Sequence, residues 1–149
     1  MSEHRATISW QRSSEGFSYA EYNREHEWRF GSGRSIPASA APKYLGNGEN
    51  VDPEEAFVAA ISSCHMLTFL AICARKRIVV DRYEDQAVGY LSADAQGRLA
   101  VTRVELAPRI VFGGEPPDTA SLQSLHDQSH HECFIANSVR TDISLSRLS

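Results

Sequence analysis

The chain lacks the features that mark several large protein classes. Its 149 residues carry 15 Lys and Arg against 19 Asp and Glu, a formal charge of −4. The longest basic run is only Arg75-Lys76-Arg77. That balance argues against a nucleic-acid partner, which calls for a basic face. No apolar h-region follows Met1-Ser2-Glu3-His4-Arg5, so a secretory signal is not expected. No apolar run reads as long as the roughly 18 residues of a membrane span. A cytoplasmic protein with no membrane partner is therefore expected. Cysteine is scarce, with three residues and no Cys-x-x-Cys pair, which is poor ground for a disulfide framework and leaves core, catalytic or metal-ligand roles; neither a metal nor a cofactor is expected. Repeats and low-complexity segments are absent as well, and the length suits a single domain over residues 1–149 with a sizeable core.

What is present reads as strands, helix, strands, helix, strand, an α+β order. Thr7 to Gln11 alternate as a strand does. Phe17 to Phe30, with aromatics at Phe17, Tyr19, Tyr22, Trp28 and Phe30, reads as a long or broken strand of a hairpin. Ser35 to Asn50, with two prolines and two glycines, reads as an ordered loop. Asp52-Pro53-Glu54-Glu55 opens a helix: a capping carboxylate, a first-turn proline and two acids at the positive end of the dipole. The helix is expected from Pro53 to Lys76. Its middle is apolar on nearly all sides, which calls for burial on every face. One small sheet cannot supply that, so a homodimer is inferred. Val79 to Leu91 and Leu99 to Phe112 read as two strands. Asp118 caps a second helix running to about His130, and Ser138 to Leu145 read as a last strand.

The cysteines carry the chemical interest. Cys64 and Cys73 are nine residues apart in the first helix. They therefore face opposite sides, roughly 13 Å apart along the axis, whereas a disulfide needs Cα atoms within about 7 Å. Cys73 reads as a core thiol. Cys64 and Cys133 lie on different helices and are free to meet. Both could equally be core residues, since free cysteine packs as a small hydrophobe. Their neighbours are polar and titratable, however: Ser62, Ser63 and His65 for one, His130, His131 and Glu132 for the other. A reactive thiolate needs such surroundings.

Two blocks resemble a known family. Asp52-Pro53-Glu54-Glu55 followed by Cys64, and His130-x-x-Cys133 followed by Asn137, are similar to the signatures of the OsmC/Ohr organic hydroperoxide reductases. His65, Phe134 and Ala136 depart from the usual pattern and mark an OsmC-like subgroup. The resemblance implies an OsmC-like fold, with antiparallel sheets wrapped around long central helices in an intertwined homodimer. It implies an antioxidant peroxidase acting on organic hydroperoxides or hydrogen peroxide under oxidative stress. Cys64 would attack the peroxide and become a sulfenic acid, and Cys133 would resolve it to a disulfide. A dithiol reductant, a lipoylated protein in the best-known members, would restore both thiols. Glu54 matches the family's assisting Glu. Its assisting basic residue falls on Arg24 or Lys43.

Geometry adds a constraint. Glu54 and Cys64 are ten residues apart on one expected helix, about 15 Å along its axis. A catalytic Glu54 would therefore serve the partner chain's Cys64. His130, one turn before Cys133, is expected to face the same pocket. His65 reads as a packed core or interface residue, and His126 and His131 as surface. Two other readings compete. One is a zinc site of Cys64, His65, His130 and Cys133, weakened by the adjacency of Cys64 and His65. The other is a non-enzymatic module binding an apolar or thiol ligand at the dimer groove.

Overall fold

The structure, a computed structural model, describes residues 1–146. It is α+β, with two helices, two short 3₁₀ turns and eight strands among these residues. The chain forms two compact units, Met1–Ala56 and the segment from Phe57 on.

In the first unit, β1 (Ala6–Ser9), β2 (His26–Phe30) and β3 (Ser35–Ala38) make an antiparallel sheet in that order. The strand expected over Phe17–Phe30 forms only from His26. Its first half is diverted into turns: Glu21 and Tyr22 donate their backbone N–H groups to Ser18 O, and the Arg24 side chain takes the carbonyls of Tyr19 and Tyr22. Those carbonyls are unavailable to a ladder. The expected loop from Ser35 likewise starts as β3 and holds a 3₁₀ turn, Pro42–Tyr44. Ser39, fully buried, anchors it by accepting from Asn47 N and donating its own N–H to Val51 O.

Helix α1 runs from Pro53 to Arg75, one residue short of expectation. Asp52 Oδ1 accepts from Glu55 N at 2.8 Å while Glu55 Oε2 accepts from Asp52 N at 3.2 Å, a reciprocal cap. By length and composition this helix could cross a membrane, with a mean hydropathy of 1.9 over 18 residues, which corrects the expectation that no apolar run is that long. Its Ile61, His65, Phe69, Ile72 and Cys73 are instead buried within the second unit. The opposite stripe, Ala59, Ser63, Leu67 and Ala71, is exposed in the single chain.

The second unit continues with β4 (Val80–Asp85), β5 (Val88–Ala93), β6 (Leu99–Leu106) and β7 (Pro108–Phe112), so each of two expected strands is in fact two. The outer pieces pair as β4–β7 and the inner as β5–β6, both antiparallel. Asp85 marks the break. Its carboxylate accepts from Ala107 N at 2.6 Å and from the Ser62 hydroxyl, so a side chain takes an amide that would otherwise extend the ladder. Helix α2 (Thr119–Glu132) starts at Asp118, whose carboxylate accepts from Ser121 N at 2.7 Å. The last strand, β8 (Asp142–Leu145), is shorter than expected and runs parallel to β6. Two hydrophobic clusters hold α1 and α2 to the strands. Phe69, Ile72, Cys73 and Leu125 pack with Tyr83 and Phe112 in one, and Ile61, Val104 and Leu106 with Val58 and Ile143 in the other. Strand β5 comes so near α1 that a Cβ on Gly89 would lie 2.4 Å from Val58.

Candidate functional site

The two helices bring Cys64 and Cys133 together. Cys64 is half-buried in the middle of α1, and Cys133 is buried at the C-terminal end of α2, where the chain turns to extended geometry. Their side chains lie near one another, close enough for Cys64 to perturb the Cys133 thiol. Burial pushes the Cys133 thiol above its ordinary pKa, and nearby Cys64 adds to this. The Ala136 N–H, 3.4 Å from the Cys133 sulfur, pulls the other way. Cys73 sits in the core as expected, its pKa raised by burial.

Cys64, not Cys133, lines a cavity of about 590 Å³ with Leu67, Thr68, Ala71, Arg75, His131 and Phe134. The α1 members sit at i, i+3, i+4, i+7 and i+11, one face of a helix. Arg75, which sequence reasoning passed over, was legible in that spacing. Arg75 pairs with Glu132 at 3.1 Å across the rim, and Gln128 holds the same carboxylate. Phe134, beside the buried Cys133, is 81% exposed.

His130 is placed elsewhere. It lines a separate cavity with His65, His126 and Asp127, while its neighbour His131 lines the Cys64 cavity. The C-terminal turn of α2 separates the two adjacent imidazoles onto different faces, and Cys133 itself lies past the helical residues. One turn of spacing therefore does not carry His130 to the thiols. His126 corrects a second expectation, because it is fully buried. Its Nδ1 lies 3.0 Å from His65 Nε2, and its ring stacks on His65 and on Phe69. Burial, above all, pushes both imidazoles down to about 4, so the pair is neutral at pH 7. The spacing of Leu122, His126 and Ser129, at i, i+4 and i+7, was the available signal that His126 faces inward. Among the described residues no group of three or more His, Cys, Asp or Glu is arranged to hold a metal ion, and His65 points at His126. The zinc reading gains no support.

The first unit carries its own cavity, about 540 Å³, lined by Trp10, Phe17, Tyr22, Arg24, Tyr44 and Glu54 among others. Arg24 and Glu54 thus share a wall. Arg24 is buried, and its guanidinium lies 3.9 Å from the Tyr22 ring centroid and 4.9 Å from that of Tyr19. Lys43 is exposed on the 3₁₀ turn and does not line this cavity. The aromatic walls were missed as a site; Phe17 and Tyr22 come from the aromatic segment Phe17–Phe30, but Trp10 and Tyr44 lie outside it. Because α1 is unbroken from Pro53, Glu54 stands ten residues from Cys64 on the same helix, about 15 Å along it.

Mainly antiparallel sheets, a long apolar helix, and Cys64 on α1 near Cys133 just past α2 agree with an OsmC-like class of protein. The OsmC-like protein family matches residues 46–146, and the chain belongs to it. Over 99% of its length it is similar to an OsmC-like protein of unknown function from Vibrio cholerae, at 47% identity and a TM-score of 0.94, covering all of that chain. The organic hydroperoxide resistance protein OhrB of Bacillus subtilis shares the fold at 17% identity, with a TM-score of 0.68 over 97% of this chain and 96% of that one. YmaD, an uncharacterized Bacillus subtilis protein, is 21% identical over 126 residues, 83% of each chain.

Proposed function

We propose that the chain is a thiol-dependent hydroperoxide reductase acting as a homodimer. The observation that carries this reading is the nearness of Cys64 to Cys133, with Cys64 lining a cavity that Cys133 does not line. A peroxide reaches Cys64 first, and the buried second thiol is already at hand. Membership of the OsmC-like family supports it, as do relatives named for organic hydroperoxide resistance, of which OhrB is one.

The steps balance as follows. The Cys64 thiolate attacks one peroxide oxygen, the O–O bond breaks, and the alkoxide leaves with a proton as the alcohol. Cys64 is then a sulfenic acid. The Cys133 sulfur attacks it, a disulfide forms and water leaves. An external dithiol, of the lipoylated-protein kind, exchanges with the disulfide, becoming oxidised while both protein thiols return. Glu54 and Arg24 assist the thiolate, and Glu54, ten residues along α1 from its own chain's Cys64, reaches Cys64 of the partner chain. A second copy would cover the exposed stripe Ala59, Ser63, Leu67 and Ala71 of α1, and residues 1–149 act as one domain of such a dimer. Arg24 takes the role for which Lys43 also stood, and His130 is left without a part in peroxide binding.

Titrating reduced protein with one equivalent of cumene hydroperoxide, then hydrogen peroxide, tests the reading. Rapid loss of two thiols and a Cys64–Cys133 link by mass spectrometry is expected. Survival of both thiols would favour a non-enzymatic binding module, for which the exposed Phe134 and Leu67 beside Cys64 offer an apolar surface.

A further inference from the structure

The first unit contains a buried cation with an unusual set of partners. Arg24 is 8% exposed, yet it is in no ion pair among the described residues. A buried guanidinium without a carboxylate needs other compensation. It receives two kinds. Nη1 donates to Tyr22 O at 2.8 Å and Nη2 to Tyr19 O at 2.5 Å. The rings of the same two tyrosines offer their faces to the cation, Tyr22 the closer. Each tyrosine thus grips Arg24 twice, once by backbone and once by ring.

The grip is itself braced. The Tyr22 ring packs on Phe17 at 5.5 Å between centroids, edge-on to Trp10 at 6.5 Å and to Tyr19 at 6.4 Å. Trp10 Nε1 donates to Asn23 O at 2.7 Å, and Asn23 ties back to Gln11 O and Ser13 N. These bonds fix the segment that bears both tyrosines, and they do so without an acid that would neutralise the cation. An arginine aimed by π faces and carbonyls keeps its charge available to the cavity it lines.

We propose that Tyr22, backed by Tyr19, is a positioning residue that sets the Arg24 guanidinium for the peroxide reaction; this rests on the reading of Arg24 as the assisting cation. The ring, rather than the phenol hydroxyl, does the positioning. Oxidation of Cys64 by cumene hydroperoxide, followed by stopped flow in the full-length protein, tests it. Tyr22→Leu is expected to slow oxidation about tenfold, while Tyr22→Phe, which keeps the ring face, restores most of the rate. Added to Arg24→Ala, Tyr22→Leu should bring no further loss, because its effect passes through the cation. A purely structural role would instead give additive losses and no difference between Phe and an apolar side chain of similar bulk. Should Tyr22→Leu not yield folded protein, Tyr22→Met fills the volume without a π face and carries the same expectation. Wild-type rates in the Leu or Met variant beside a slow Arg24→Ala overturn the positioning role alone. A wild-type rate in Arg24→Ala overturns the assignment of Arg24 and the positioning role with it.

Discussion

The unit Met1–Ala56 and the unit that follows it divide the chemistry unequally. The first holds Arg24 and Glu54 on an aromatic cavity and contains no cysteine. The second holds all three cysteines, brings Cys64 near Cys133, and hides a neutral imidazole pair in its core. Each unit alone lacks part of what the proposed reaction uses. In the proposed reaction, charge would come from a small sheet and its turns, while the thiols are placed by α1 and the end of α2.

The sharpest way to break this comparison is to remove the thiols one at a time. Cys64→Ser is expected to lower peroxide consumption by more than about a thousandfold, since no other thiol lines that cavity. Cys133→Ser should retain the first oxidation but stop at a sulfenic acid, detectable by dimedone labelling and prone to over-oxidation. Equal behaviour of the two variants would contradict the distinct roles assigned to them.

Next in size is the division between units. A Glu54→Ala chain mixed in equal amounts with a Cys64→Ser chain should recover about a quarter of wild-type activity, one working site in half of the dimers. No recovery, with heterodimers verified by native mass spectrometry, would rule out a shared site.

The first unit's loop is then open to attack at Gly46. A Cβ there would lie 1.6 Å from Ala40 O and 2.2 Å from Ala40 C. Gly46→Ala should cost about 2–3 kcal/mol in urea unfolding, because backbone must move to admit it. An unchanged midpoint would show that the turn tolerates a side chain.

The histidine pair gives the second unit a pH signature of similar scale. Free imidazole takes up its proton near 6.5, whereas buried His65 and His126 hold out to about 4. Between these values the unfolded chain binds protons the folded one refuses. Stability is thus complete above pH 6.5 and falls as pH drops, by about 1.4 kcal/mol per pH unit for each imidazole. Unfolding at pH 7 and pH 5 measures it, and a His65→Phe, His126→Leu double variant should flatten the slope. The smallest effect belongs to Arg75→Ala, whose exposed pair with Glu132 is worth less than about 1 kcal/mol.

Legibility in the sequence followed the range of the interactions. Helix α1 could be bounded from Asp52-Pro53-Glu54-Glu55 because capping is local, and the structure shows that cap closed. The Asp118 cap was read for the same reason. The segment Phe17–Glu25 was misread as strand because aromatic content favours strands, while the Arg24 side chain competes for its carbonyls from within the turn. The breaks after Asp85 and Leu106 were missed because they depend on a carboxylate and an amide 22 positions apart. His126 looked exposed among Gln, Asp and Ser neighbours, and only its stacking on His65 and Phe69 explains its burial.

By itself the sequence determined which thiols could not pair. Nine residues of helix separate Cys64 from Cys73, and no packing changes that, because helical rise and twist are set by backbone hydrogen bonds alone. The same rule placed Glu54 out of reach of its own chain's Cys64. What only the tertiary structure decided is which groups meet across elements. Cys133 comes near Cys64, His126 rather than His130 meets His65, and Arg24 is held against two tyrosine rings. Each of those contacts depends on side-chain direction and on the packing of one element against another, and neither is contained in the spacing of residues along a single segment.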